Sequence, residues 1–152
     1  MQEIIIVLAL LVAIYVVILS ISYQQTKKVR LEVIETLKKY GELVLENKRS
    51  LFKIKDQTYE ILFYKIRKND ELTINSATMW EVHRSGGSFL INQSQFLASP
   101  YPKIVIVYPI ETQIKRYINE NELVFIDEKN VFYQMRVVKK NQLENVLQEL
   151  SL

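Results

Sequence analysis

Glu81, Val82 and His83 form the one place where an acid stands two residues from the chain's single histidine, inside a run of β-favouring residues. Positions i and i+2 of a strand share a face, so the carboxylate and the imidazole would lie side by side. Imidazole is the side chain whose ordinary titration falls near neutrality. Two neighbours with ordinary titration at a strand end would have the same spelling. Trp80, the only Trp, adjoins the pair and suits either a stacking surface or a large core aromatic. A second concentration of polar chemistry is basic. Lys53, Lys55, Tyr64, Lys65, Arg67 and Lys68 fall on the first predicted hairpin, where they could meet phosphate or anionic lipid or simply line a solvated sheet face.

Other chemistries are excluded by composition. The chain has 152 residues and no Cys, which removes disulfides, thiolate nucleophiles and thiolate metal sites together. One His argues against zinc of the usual kind. Gly86-Gly87 cannot make a phosphate loop or a dinucleotide fingerprint and reads as a loop; no G-x-S-x-G elbow exists. No metal site and no resident cofactor is expected. The abundance of Ile, Lys and Asn over Ala and Gly resembles the coding bias of an AT-rich genome, so single Lys and Asn residues carry less functional weight.

The elements that must hold these residues begin with a membrane anchor. Every residue from Ile4 to Leu19 is apolar or Tyr, and Ser20 to Tyr23 extend the run to about 20 positions, ~30 Å of helix and the thickness of a hydrocarbon core. Met1-Gln2-Glu3 lacks the basic start of a signal peptide and no good cleavage site follows, so residues 1–23 are predicted to be an uncleaved anchor, with residues 4–23 in the bilayer. Glu3 is the only charge before the span, and Lys27, Lys28 and Arg30 follow it. Basic flanks stay in the cytoplasm, which predicts the N-terminus outside and the rest inside a cell membrane. The net charge of +3 divides by region: residues 24–50 hold seven basic and four acidic side chains, residues 51–152 thirteen and twelve. The basicity is a juxtamembrane collar, and nucleic acid is not an expected partner.

Residues 24–50 are predicted to be a juxtamembrane amphipathic helix, Thr26 to Arg49, with Val33, Leu37, Tyr40 and Val44 on one stripe. That stripe would dock on the sheet that follows, or hold a protein partner or a second copy through residues 26–49. Gly41 marks a bend or a close contact. Residues 51–152 read as one α+β (mixed α/β) domain, with a central, mostly antiparallel sheet flanked by short helices. Its strands are predicted at 51–55, 59–67, 72–82, 103–108, 123–126 and 131–138. Short helices are predicted after Ser88, carrying Phe89, Leu90, Phe96 and Leu97, and at Glu111 to Asn119. A last helix after Asn141 would bury Leu143, Val146, Leu147 and Leu150.

Helix, three antiparallel strands, helix, strand is an order that resembles the core of the PD-(D/E)XK nuclease superfamily over residues 30–110. The resemblance implies an acid on the second strand and a (D/E)-x-K on the third, holding a divalent metal and the attacking water. Glu60 and Glu81-Val82-His83 are the matches, with His83 in place of Lys and no preceding Pro-Asp. That departure implies a binding-type descendant. An apolar helix running into an amphipathic one and then a sheet also looks like type IV pilins, without their basic leader, their Gly before the processed residue or their Glu five residues in. The expectation is a single-pass membrane protein whose cytoplasmic domain binds an anionic ligand or a partner without catalysis. The alternatives are a divergent metal-dependent nuclease using Glu60, Glu81 and His83, and a pilin-like subunit.

Overall fold

Residues Gln2–Tyr40 form one uninterrupted helix, α1, ~58 Å long at 1.5 Å per residue. The computed structural model describes residues 2–67, 69–109, 112–119 and 121–152, the side chains of residues 2 and 3 excepted. Glu3, Lys68 and Glu111, each used in the sequence reading, therefore lie outside the described side chains. The N-terminal part of α1 touches nothing: Ile4 to Tyr23 keep their apolar side chains exposed, and the helix is long and apolar enough to cross a membrane. Its C-terminal part is amphipathic, burying Val33 and Leu37 against the domain while Lys27, Lys28, Lys38 and Lys39 stay out.

The predicted helix to Arg49 is corrected here. α1 stops at Tyr40, and Glu42–Glu46 is a strand, β1, which turns at Asn47-Lys48 into β2, Arg49–Ile54. Asn47 and Lys48 both take positive φ, 48° and 67°, as a two-residue type I′ hairpin turn demands. Pairing with β2 turns Leu43 toward the core and leaves Val44 exposed, off the helical stripe on which it seemed to lie. The turn at Lys55-Asp56 then leads into β3, Gln57–Lys65.

The run 72–82 is two strands, β4, Glu71–Ile74, and β5, Met79–Arg84. They are separated by a turn in which Ser76 Oγ accepts from the Met79 N–H at 3.1 Å. Gly87–Asn92 is a strand, β6, where a helix carrying Phe89 and Leu90 was expected; pairing opposite Trp80 packs Ile91 on the core, while Phe89 and Leu90 stay exposed. Only Ser94–Leu97 is helical there, as α2. Lys103–Tyr108 is β7, as predicted. The helix expected at 111–119 is instead β8, Ile114–Asn119, because its Ile114, Arg116 and Ile118 alternate on one face and it pairs with β4 on one side and β9, Glu122–Phe125, on the other. The last strand region divides into β10, Val131–Phe132, and β11, Met135–Lys139, around a turn with positive φ at Tyr133 and Gln134. A turn of 3-10 helix, Lys140–Gln142, leads into α3, Leu143–Ser151. At its start the Lys139 N–H donates to the Gln142 side-chain oxygen at 3.1 Å.

The fold is α+β. Its strands make two sheets where one was expected: β1-β2-β3-β7-β11-β10 and β6-β5-β4-β8-β9. In the first, β1, β2 and β3 are antiparallel, whereas β3, β7 and β11 run parallel. Val33 and Leu37 of α1 and Leu143, Val146 and Leu147 of α3 cover one face, meeting Phe52, Ile54, Ile61, Ile104 and Ile106. The second sheet covers the other face, with Leu72, Ile74, Trp80, Val82 and Ile114 against Val105, Val107, Met135 and Val137. Trp80 is a core residue, edge-on to Tyr64 at 5.7 Å, and its indole N–H donates to the Ala77 carbonyl at 3.3 Å. Burial in the same layer pushes the Tyr64 hydroxyl up to about 12.

Gly41 is the close contact between α1 and the sheet. A Cβ built there would lie 2.2 Å from the Lys53 carbonyl oxygen and 2.9 Å from the Phe52 ring. The obstacle is backbone, so it cannot swing aside. Gly41→Ala is expected to destabilise the domain by about 1–3 kcal/mol, the cost of overpacking a filled site. Urea unfolding of the full chain in detergent, followed by Trp80 emission, measures it; an unchanged midpoint would show the helix end to be free to move.

Candidate functional site

Two buried charges of opposite sign lie on adjacent strands beneath an open cleft. Glu60 on β3 and Lys103 on β7 stand opposite one another in the parallel ladder, on the face toward the second sheet, and are 4% and 3% exposed. Charges this deep need partners. Glu60 Oε2 accepts from the Ser99 hydroxyl, and Arg49 Nε lies 3.6 Å from Oε1. Lys103 Nζ donates to the carbonyls of Ser99 at 2.8 Å and Tyr101 at 2.6 Å, and stands 5.8 Å from the centre of the Phe96 ring. Burial holds the Lys103 ammonium below its usual range, with Glu60 pulling it back up and Arg49 adding slightly to the depression.

The cleft has a volume of about 610 Å³ and is lined by Arg30 from α1, Lys48 from the β1–β2 turn, Arg49 from the start of β2, Glu60 and Phe63 from β3, and Phe96 from α2. Arg30 places its guanidinium 5.1 Å over the Phe63 ring. Each element is there for a local reason. The Asn47-Lys48 turn lets β2 begin only at Arg49, so β3 outruns its partner and leaves room. Pro100 and Pro102 flank Tyr101 and force the chain from α2 into an extended approach to β7, which turns the Ser99 and Tyr101 carbonyls onto Lys103.

Of the residues expected at a site, only Glu60 and Arg30 belong to this cleft. Glu81 and His83 lie on β5 in the other sheet; because Trp80 and Val82 point into the core, they occupy its outer face. There His83 Nε2 is 3.7 Å from Glu81 Oε2, and Asn75 Nδ2 donates to that oxygen at 3.1 Å. The Ser88 hydroxyl, then Asn75, then His83 hold the Glu81 carboxyl below its usual range. The side-by-side pair is real, but Glu60 is no part of it. The basic hairpin is likewise split. Lys53 and Lys55 are beside Gly41 and the Lys55-Asp56 turn, at the Tyr40 end of α1, whereas Lys65 and Arg67 are at the opposite end of β3, ~26 Å away along the strand. Lys27 and Lys28 are exposed on α1 above the domain.

The element order behind the nuclease resemblance is interrupted: after α1 and antiparallel β1-β2-β3 come β4, β5 and β6 of the second sheet, and only then α2 and β7 beside β3. Within it the second strand, Arg49–Ile54, carries no acid, and the third carries Glu60-Ile61-Leu62, with Leu at the position of the Lys. Among the described residues no three His, Asp or Glu side chains are grouped to hold a metal ion. Arg49, Ser99 and Lys103 were missed. The available signal was Lys103, a cation opening a run of five apolar residues that must be buried on both faces. Comparison with protein-family models, with curated proteins and with solved structures gave no significant match to this chain.

Glu60→Ala, by stranding Lys103, is expected to cost about 2 kcal/mol, below the range for a wholly buried pair because Arg49 is 44% exposed. Glu60→Gln, which still accepts from Ser99, should cost about half as much. Urea midpoints rank the two; equal values would mean the charge is immaterial. Glu81 gives an independent acid-side effect. A carboxyl lowered in the folded state contributes stability above its ordinary value of 4.5, and that contribution disappears as pH falls through the lowered value. Stability measured at a series of acid pH values should therefore fall less steeply in Glu81→Gln than in the parent chain.

Proposed function

We propose that this is a single-pass membrane protein, N-terminus outside, whose cytoplasmic α+β domain is a non-catalytic binding module for an anionic ligand at the membrane. The observation that carries the reading is the cleft at Arg30, Lys48 and Arg49, three cations around one buried acid, on a domain joined without a linker to an exposed apolar helix. The rigid junction supports a task close to the bilayer, since the domain cannot wander from it. Lys27, Lys28 and Arg30, following the apolar run, support the orientation. Ser99 and Arg49 both address Glu60 and two carbonyls hold Lys103, a bonding pattern suited to fixing a rigid cleft wall.

The chain has no Cys, so Ser88→Cys, at an exposed β6 position, introduces a unique label. In intact cells an impermeant maleimide is expected to leave it unmodified and to modify it after lysis; efficient labelling of intact cells would reverse the orientation. Incubation of the purified chain with DNA and RNA in magnesium or manganese is expected to leave both intact. Cleavage that Glu81→Gln abolishes would replace the binding reading with a nuclease.

A further inference from the structure

Where β2 stops, β3 continues. The antiparallel ladder runs from Ile54 opposite Gln57 to Ser50 opposite Ile61, yet β3 goes on to Lys65 with β7 alone beside it. The Glu60 N–H donates to the Pro102 carbonyl and that of Ile66 to the Tyr108 carbonyl, both on the β7 side. Backbone groups alternate along a strand, so the Phe63 N–H faces the other way, into the space β2 leaves open. That space is the cleft. An edge N–H and the side chains of Arg30, Lys48 and Arg49 line it, and Glu60, the acid among its described lining residues, is already addressed by Ser99 and Arg49. Guanidinium forks and backbone N–H groups around a net positive, partly desolvated space are the chemistry of phosphate recognition. Phe63 and Phe96 supply apolar wall beside it, which a bare inorganic ion would not use.

The location says where a phosphate would come from. Arg30 stands seven residues beyond Tyr23, ~10 Å along the α1 axis. The polar headgroup layer extends roughly 5–8 Å past the hydrocarbon core, so an Arg30 side chain reaching back along the helix spans the gap. The rest of the domain agrees about which end faces the bilayer. Arg30 meets Phe63 and Glu32 meets Lys140 at 2.5 Å, whereas Tyr40 meets Glu144 and Gln148 at the far end. The open edge of β3 is therefore on the membrane side.

We propose that this cleft binds the phosphate of an anionic phospholipid headgroup from the leaflet in which the chain is anchored, Arg30 and Arg49 taking the phosphate oxygens and the two phenylalanines the glycerol region. This rests on the membrane-anchored reading but not on which side the domain occupies. The test uses the full chain in phosphatidylcholine nanodiscs with or without phosphatidylglycerol, with native mass spectrometry of retained lipid and NMR of the arginine Nε–H groups as readouts. Retention of phosphatidylglycerol over phosphatidylcholine is expected, with shifted Arg30 and Arg49 resonances. Arg30→Gln, a surface change that leaves the Glu60 contacts in place, should reduce retention at least about tenfold, the scale of one charge-assisted contact. Lys53→Gln with Lys55→Gln, at the far end, should leave retention unchanged. Equal retention of the two lipids, or equal retention by wild type and Arg30→Gln, overturns the proposal. So does inorganic phosphate that shifts the same resonances in phosphatidylcholine alone while no lipid is retained, which would assign the cleft to a free phosphate compound. The cysteine labelling above reads orientation separately, so either conclusion can fail without the other.

Discussion

The double burial of β7 is the constraint on which the rest of the molecule depends. All six residues from Lys103 to Tyr108 are buried. Ile104 and Ile106 point to the helices, Val105 and Val107 to the second sheet, so each hydrophobic core takes part of its floor from one strand. Burial of a branched aliphatic side chain contributes roughly 1.5–3 kcal/mol, and four of them in a row make this the strand about which both layers are assembled. Because β3 and β11 flank β7 in parallel, their direction is set by it. The same constraint explains the buried Lys103, the first residue of a strand that has no solvent face to offer.

A lysine in that position must be neutralised or bonded, and its surroundings do both. Two carbonyls released by the Pro-rich approach to β7 accept from Nζ, and Glu60 on the neighbouring strand supplies opposite charge. Glu60 in turn draws in Ser99 and Arg49, and Arg49 brings the β1–β2 turn to the rim of the cleft. A packing requirement in the sheet thus becomes an organised polar surface at its edge. α1 closes the arrangement from outside. Gly41 lets the helix end touch β2, and Val33 and Leu37 pack it on the sheet, so the C-terminal part of α1 and the cleft share one hydrophobic core.

The legible features were those whose signals are local and large. The apolar run of α1, the continuous strand Lys103–Tyr108 and the stripe Leu143, Val146, Leu147 all follow from burial patterns that few alternatives satisfy. Errors fell where a short segment could be read with either period. Phe89-Leu90 and Ile114 to Asn119 carry apolar residues at spacings that fit one helical turn or a strand equally well, and both became strands because β5 and β4 offered unpaired edges. The 26–49 helix was overextended for the same reason, since the pairing that captures Glu42–Glu46 is with residues downstream of it. Glu60 was singled out correctly but given the wrong companions. Its real neighbours, Arg49, Ser99 and Lys103, lie between 11 and 43 residues away and meet it only after three elements have folded.

What the residues alone determined was how much of this chain must avoid water, and where. An apolar run of bilayer length and the Lys27, Lys28 and Arg30 that follow it are one-dimensional facts, because hydrophobicity along a helix axis is legible without any tertiary contact. Which polar groups stand together was decided only in three dimensions. The two sheets separate Glu60 from Glu81 and His83, and β3 carries Lys65 and Arg67 to the end opposite Lys53 and Lys55. Strand pairing joins segments far apart in the chain, and its register depends on burying both faces of β7 at once. No local window of sequence contains that condition.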